Sequence, residues 1–289
     1  MKFGVGFPHD QTLLDPGAVR TLAQAIDELG YSFLTASDHV VGADLTNRPD
    51  WKLPHSLANL NREPLMLLSF IAACTRRIML GTSVLIMPQR QTALVAKQMA
   101  ELDVLSGGRA MLGVGVGRVE LEYKTLNEDF KTRGRRLEAQ IGVLRAFWTQ
   151  PSVSIEDEWH HIDAVGINPL PVQRPIPIWM GASAETALKR IARLADGWLP
   201  SSSTAAELPD LLERFKGWMR EAGRDPSAIA IAPRMQVDEI DPEAWTEQVE
   251  RWEHLGVSHL ALDLGRGAGQ SVDARIEVLS NFAETVGMK

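Results

Sequence analysis

The sequence of 289 residues contains one cysteine, a minority of positive charge and no long hydrophobic run. Cys74 alone can form no intramolecular disulfide, which is typical of proteins in a reducing cytoplasm. Lys and Arg number 30 against 37 Asp and Glu, and this net charge of −7 argues against nucleic acid or an anionic membrane as the main partner. The longest apolar stretch, from Pro64 to Cys74, is about half of the roughly 20 residues that span a bilayer.

Signatures of several other protein classes are also missing. Met1-Lys2 is followed by only a few apolar residues before Pro8, which does not resemble a signal peptide, so we expect a cytoplasmic protein. No Gly-x-Ser-x-Gly elbow occurs. His160-His161 lacks a ligand spacing to other His or Cys residues, so we expect both histidines at the surface and no metal site.

Short apolar segments that suit buried strands alternate with helical patterns along the chain. In the first unit, Asp15 is the expected N-cap, Pro16 stands at the first helical position, and Gly30 ends the helix. The predicted strands are Phe3–Phe7, Ser32–Ser37, one within Arg77–Met87, Arg109–Val114, Ile176–Met180, Gly197–Pro200, Ile229–Val237 and Val257–Leu264. Eight strands alternating with eight helices predict an α/β fold, a closed (β/α)8 TIM barrel over residues 1–289 as one domain, with an open doubly wound sheet as the alternative.

Two segments are longer than a minimal barrel needs. Val40–Glu63 lies between strand two and helix two, and a loop of this length is usually a lid or a binding loop. We expect Trp51 and His55 in this loop to shape the substrate pocket. Pro151–Pro177, after helix four, predicts a small hairpin and a proline-rich return that cover the barrel.

Barrel enzymes place their working groups at the carboxyl ends of the strands. The residues that stand there are His9, Asp38, His39, Ser83–Met87, Gly115, Gly117, Arg118, Gly181–Ser183, Asp238 and Arg266. In the Asp38-His39 pair, the imidazole can move a proton near neutral pH, although a loop histidine that caps a strand is the alternative. Cys74 lies on the apolar side of helix two, where packing is the expected role.

Two glycine-containing segments indicate ligand contact. Gly113–Gly117 lacks the spacing of a dinucleotide fingerprint, and glycines at a strand end let a flat ligand approach the backbone, with a tight turn as the alternative. Gly181–Thr186 joins strand five to helix five. Free amides at that helix start, with the hydroxyls of Ser183 and Thr186, suit a phosphate, and simple N-capping by Ser183 is the alternative.

An ordered set of motifs over residues 1 to about 200 resembles the bacterial luciferase-like oxidoreductases, and within them the group that uses the deazaflavin coenzyme F420. The motifs are Ser37-Asp38-His39, RIMLGTSV at Arg77–Val84, Ala96-Lys97-Gln98, LDVLSGGR at Leu102–Arg109, LGVGVG at Leu112–Gly117, Asp129-Phe130 with Arg133-Gly134, Glu138, PIWMGAS at Pro177–Ser183 and ADGWLP at Ala195–Pro200. The last third of the chain matches only in its strand–helix rhythm.

The resemblance implies a role for each of these strand ends. A bulge in strand three, here Ser83-Val84 and often a non-proline cis peptide in the family, supports the cofactor ring, and Ala182, Ser183 and Thr186 hold its phosphate. His39 matches the histidine that takes the substrate proton. Arg118 stands where some members have a glutamate, and could hold an anionic group or pair with Glu122. The cofactor residues are thus Asp38, His39, Ser83, Val84, Gly115, Gly117, Arg118, Gly181, Ala182, Ser183 and Thr186.

The implied activity is hydride transfer between coenzyme F420 and a small-molecule substrate. An FMN-dependent luciferase-like monooxygenase is the alternative, because both cofactors share ring shape and phosphate. A non-catalytic protein that binds a flavin or deazaflavin is the alternative from another class, and the departure at Arg118 motivates it. Members of the family are often homodimers, and we expect the same assembly.

Overall fold

A computed structural model describes residues 1–53, 55–200, 208–237, 241–265 and 271–288. Its strands are β1 (Lys2–Gly6), β2 (Phe33–Ala36), β3 (Met79–Thr82), β4 (Leu85–Ile86), β5 (Ala110–Gly115), β6 (Val153–Glu156), β7 (His161–Val165), β8 (Ile178–Ala182), β9 (Gly197–Pro200), β10 (Ala230–Ile231), β11 (Arg234–Gln236) and β12 (His259–Asp263). Its α-helices are α1 (Pro16–Glu28), α2 (Pro64–Cys74), α3 (Thr92–Ser106), α4 (Glu120–Thr125), α5 (Arg133–Thr149), α6 (Glu185–Leu194), α7 (Leu208–Glu221), α8 (Trp245–His254) and α9 (Val272–Thr285).

The main sheet is parallel and closes into a barrel. Its hydrogen-bonded order is β10-β9-β8-β5-β3-β2-β1-β12-β11, and β4 pairs with β5. The two ends of this order, β10 and β11, are separated in the chain only by Ala232 and Pro233. The Ala232 amide donates to the Trp198 carbonyl, and the Pro233 carbonyl accepts from the Ala261 amide, both at 2.9 Å. The hydrogen bonding thus continues on both sides of one interrupted strand, and the predicted (β/α)8 barrel is confirmed.

Two predicted strands are interrupted rather than continuous. The strand expected within Arg77–Met87 is divided into β3 and β4 by Ser83 and Val84. The strand expected at Ile229–Val237 is divided near Pro233, because proline has no amide hydrogen to donate to a neighbour. The sequence does not predict α4 either, since a helix of six residues is too short to show a helical period.

Apolar side chains pack both outside and inside the barrel. In α1, Val19, Leu22 and Ile26 repeat at helical spacing and are fully buried in the core. A second cluster fills the barrel interior: Phe33, Met111, Trp179, Leu199, Ala232 and Ala261. Burial of each large side chain contributes about 1.5–3 kcal/mol to stability. Because these side chains fill the interior, the barrel is closed beneath the carboxyl ends of the strands.

The segment after α5 forms the predicted hairpin, in which β6 and β7 pair antiparallel. The prediction that His160 lies at the surface is wrong, because its side chain is 7% exposed. Its Nδ1 lies 2.9 Å from the Asp157 carboxylate, and its Nε2 lies 2.7 Å from the Thr92 hydroxyl. These contacts hold the hairpin against the start of α3. Within the described ranges, none of the helices combines the length and apolar character that crossing a bilayer requires.

Candidate active site

A cavity of about 400 Å³ opens at the carboxyl ends of β1, β2, β11 and β12. Polar side chains in its wall include His9, Asp10, His55, Asn59, Arg234 and Asp263. The volume lies within the range of pockets that hold small molecules, about 300–1,000 Å³. The structure therefore has a cavity of ligand size at the end of the barrel where the sequence predicts the site.

His39 follows β2 and forms a pair with Glu122 of α4. The His39 Nδ1 lies 3.1 Å from Glu122 Oε2, and Glu122 Oε1 accepts from the Val40 amide at 2.9 Å. Burial raises the pKa of Glu122, but the hydrogen bond and charge of His39 and the amides of Val40 and Val41 outweigh it, so the net pKa lies below its usual value. An ionised carboxylate only accepts, so Nδ1 of His39 is the donor and the tautomer is defined.

His55 covers His39 from the side of the cavity. The two ring centroids are 3.4 Å apart and the rings are stacked at 26°. The loop that carries His55 folds back on itself, because the Ala43 amide donates to the His55 carbonyl (3.2 Å) and the Leu57 amide donates to the Ala43 carbonyl (3.0 Å). Of the two loop residues predicted to shape the pocket, His55 lines the cavity, whereas Trp51 is half-buried outside the cavity wall formed by the described residues.

Asp38 lies behind the cavity rather than in it. Its side chain is 1% exposed, and its two oxygens accept from the Ile86 amide (3.0 Å) and from Arg90 (2.8 Å). Arg90 also contacts Glu63 at 3.0 Å. The structure thus gives Asp38 a positioning role, in which it joins the end of β2 to β4, and its contact with a cofactor stays a prediction.

The bulge between β3 and β4 is held by side chains as well as by backbone. The Ser83–Val84 peptide is cis, the geometry that the family resemblance implies at this position. The Thr82 hydroxyl accepts from the Gly113 amide (3.0 Å) and donates to the Gly113 carbonyl (2.6 Å). Arg234 of β11 donates to the carbonyl and the hydroxyl of Ser83. Sequence reasoning missed Arg234, although a charged residue inside an apolar strand is a visible signal.

The glycines of β5 and β8 make room for the protein's own Val84. A Cβ atom on Gly115 would lie 2.5 Å from Val84 Cγ2, and one on Gly181 would lie 2.8 Å from Val84 Cγ1. Gly117 has a φ of +61°, a left-handed conformation that favours glycine. Gly115 and Gly181 thus admit Val84, and the approach of a flat ligand to the three glycines stays a prediction.

The start of α6 has the geometry that the phosphate prediction needs. The N-cap is Ala184, and its side chain makes no capping hydrogen bond, so the alternative that Ser183 caps the helix is wrong. The amides of Glu185 and Thr186 have no partner among the described residues. Ser183 and Thr186 are exposed. This helix start can therefore accept an anion, with two hydroxyls beside the free amides.

Arg118 and Cys74 lie apart from the cavity. Arg118 is exposed and makes no ion pair or hydrogen bond with any described residue, so the suggested pairing with Glu122 is wrong, since Glu122 contacts His39. Cys74 is half-buried against the core, and burial raises the pKa of its thiol. Asp238 and Arg266 lie outside the described residues. Elsewhere in the described chain, no group of three or more His, Cys, Asp or Glu is arranged to hold a metal ion.

A (β/α)8 barrel with a cavity and an imidazole–carboxylate pair at the carboxyl ends of its strands has the architecture of a barrel enzyme. Residues 1–279 match the model of the luciferase-like monooxygenase family. The chain belongs to this family, whose members are oxidoreductases and include F420-dependent enzymes.

The chain is also similar to individual proteins and to a solved structure. An uncharacterized protein of Mycobacterium tuberculosis is 33% identical over 227 residues, which cover 75% of this chain and 77% of the relative. The F420-dependent glucose-6-phosphate dehydrogenase of Gordonia bronchialis is 27% identical over 267 residues, 88% of this chain and 74% of the relative. The crystal structure of the monooxygenase RslO1 from Streptomyces bottropensis is similar in fold, with a TM-score of 0.81, 19% identity and coverage of 99% of this chain and 98% of that one.

Proposed function

We propose that the protein is an oxidoreductase that transfers a hydride between coenzyme F420 and a small organic substrate. The observation that carries the proposal is the His39–Glu122 pair beside a ligand-sized cavity at the carboxyl ends of the barrel strands. The similarity to the F420-dependent glucose-6-phosphate dehydrogenase of Gordonia bronchialis supports the choice of a deazaflavin.

The described residues fit a cofactor with a flat ring and a phosphate. The α6 start offers the free amides of Glu185 and Thr186 and the hydroxyls of Ser183 and Thr186. The Glu185 carboxylate there is paired with Lys189 (2.8 Å) and with Arg214, so its negative charge is compensated. The bulge at Ser83 and Val84 would support the ring. When bound, the cofactor supplies the hydride chemistry, and the protein supplies position and acid–base groups.

The imidazoles of His39 and His55 near the cavity would supply the acid–base chemistry. Because Nδ1 of His39 faces Glu122, Nε2 is the ring atom at which His39 gains or loses a proton. His39 is the residue that the family resemblance assigns to this step. A carboxylate that orients an imidazole in this way also stabilises the imidazolium that forms when a substrate hydroxyl loses its proton.

The experiment that tests the proposal is titration of the apoprotein with F420 and, separately, with FMN, following quenching of cofactor fluorescence. We expect F420 to bind tightly, and Ser183→Glu at the α6 start to weaken binding about tenfold or more through repulsion of the phosphate. Ser152→Glu, at an exposed serine next to the hairpin, is the matched control and should leave affinity unchanged. Tight binding of FMN with no response to F420 would reject the deazaflavin.

Experiments on the same apoprotein distinguish two other functions from the proposed one. An FMN-dependent monooxygenase is favoured by membership in the luciferase-like monooxygenase family, and requires FMN binding with oxygen consumption. A non-catalytic binding protein is motivated by exposed Arg118 at the position where some family members have a glutamate. In that case either cofactor binds, and His39→Ala changes no redox activity because none exists.

The assembly is also proposed, as a homodimer through α2 and α3. The eleven residues of α2 carry no charge. Met66 and Phe70 are exposed on this helix at 60% and 37%, and Leu94 and Leu105 are exposed on α3 at 52% and 60%. Apolar surface of this kind marks an association site. A cytoplasmic location is proposed on the evidence of the single cysteine.

A further inference from the structure

Two imidazole rings lie face to face at the cavity, and of these two only His55 belongs to its wall as the described residues form it. His39 lies behind it with 16% of its side chain exposed. The ring that the family resemblance assigns to the substrate proton is thus separated from the cavity by a second ring of the same chemistry.

Glu122 determines how charge is shared between the rings. Its side chain is fully buried, and its oxygens contact the Val40 amide and the His39 ring. A buried carboxylate beside an imidazole stabilises the positively charged ring. Because the centroids of His39 and His55 are only 3.4 Å apart, a charge on His39 makes a second charge on His55 unfavourable.

The other charges around the cavity have counter-charges beside them. The charged or titratable groups in its described wall, besides His55, are His9, Asp10, Arg234 and Asp263. Asp10 accepts from Arg275, and the Arg234 Nη1 lies 3.8 Å from the Asp263 carboxylate. The Nδ1 of His9 accepts from the Arg62 amide. Glu122 is the carboxylate that contacts the His39 ring.

We propose that His55 is the imidazole that contacts the substrate, and that the His39–Glu122 pair beneath it carries the positive charge of this cluster and leaves His55 neutral. A neutral His55 accepts the proton of a substrate hydroxyl while the hydride on the adjacent carbon leaves for the deazaflavin, so that an alcohol becomes a carbonyl compound. His55 is then the catalytic residue, and His39 and Glu122 are positioning residues. This inference rests on the proposed function.

The charge coupling can be measured without any cofactor. In apoprotein labelled with ¹³C-histidine, the NMR signal of His55 is assigned by its loss in His55→Gln. We expect the His55 ring to take up its proton at a pH about one unit higher in His39→Gln, because the neighbouring charge is gone. Glu122→Gln should give a change in the same direction. Glu120→Gln, at an exposed glutamate that pairs with Lys124, is the control and should give none. An unchanged His55 titration in both His39→Gln and Glu122→Gln overturns the proposal.

The catalytic assignment is measured with the loaded enzyme. We expect His55→Gln to lose about 100-fold or more in kcat with its F420 affinity unchanged, and Glu122→Gln to move the acidic limb of the kcat–pH profile to higher pH. Full activity of His55→Gln with F420 bound overturns the role of His55 and leaves the proposed function intact. Failure of the unmodified protein to bind F420 rejects the proposed function instead, and the catalytic role of His55 with it.

Discussion

Arg234 donates hydrogen bonds to both oxygens of Ser83, at 2.9 Å to the carbonyl and 2.8 Å to the hydroxyl. One side chain thereby links β11 to the bulge between β3 and β4 across the mouth of the barrel. The Arg234 side chain is 35% exposed in the cavity wall, so this link lies where ligands enter.

Replacement of Arg234 by methionine should loosen the bulge while keeping an apolar stem of similar length. We expect the free energy of unfolding to fall by about 1–2 kcal/mol, because the Ser83 oxygens lose a charged donor. Cofactor affinity should also fall, by about tenfold. Urea denaturation and fluorescence titration measure the two effects. Arg220→Met, at an exposed arginine of α7, is the control, and equal stability of the two variants would contradict the prediction.

Asp38→Ala should lower the free energy of unfolding more than it lowers the affinity for the cofactor. Among the described residues, the substitution leaves Arg90, whose side chain is 17% exposed, with Glu63 as its one charged partner, and it removes the acceptor of the Ile86 amide. We expect unfolding in urea to show a loss of about 3 kcal/mol. Asp163→Ala, at an exposed aspartate of β7, should cost little. If Asp38→Ala weakens cofactor binding with no loss of stability, Asp38 is a ligand after all.

Acid should destabilise the protein through His259, at the amino end of β12. Burial, together with the charges of Lys2 and the amino terminus, lowers the pKa of His259 from 6.5 to about 4. Between these values the unfolded chain binds more protons than the folded one, so the free energy of unfolding falls as the pH is lowered through this window. After allowance for partial exposure, we expect a contribution of about 1–2 kcal/mol.

This pH dependence is measured by urea denaturation at pH 7 and pH 4.5 for His259→Gln and for the unmodified protein. His259→Gln should lose less stability on acidification. His254→Gln, at an exposed histidine of α8, should follow the unmodified protein. Parallel loss in all three proteins would assign the acid sensitivity to other groups.

A charge on α2 should prevent the proposed dimer from forming. Met66→Lys places an ammonium group in the exposed apolar surface, and burial of that charge in an interface is costly. Light scattering coupled to size-exclusion chromatography should report a dimer for the unmodified protein and a monomer for Met66→Lys. Val165→Lys, at a residue of β7 that is 50% exposed, should remain dimeric. A monomeric unmodified protein would reject the assembly.

The sequence predicts the barrel well because strand and helix periods are local signals. The eight apolar segments, the Asp15 cap and the β6–β7 hairpin all follow from neighbouring residues. The site is less predictable, because its contacts join residues far apart in the chain. Glu122 lies 83 positions from His39, and Arg234 lies 151 positions from Ser83. No local pattern distinguishes Asp38, which turns away from the cavity, from His39, which turns toward Glu122.

Hydrogen bonds between Ala43 and the segment around His55 close the loop Val40–Glu63 on itself and divide it into a tip and a base. Residues 44–53 belong to the tip of the loop, whereas His55 takes part in the hydrogen bonds that close it. Substitutions or length changes at the tip of the loop can therefore accumulate while the imidazole remains in register with His39. In the laboratory, libraries that aim at altered substrate choice therefore belong at the cavity residues after this closure, Ala58–Asn61, rather than at residues 44–53.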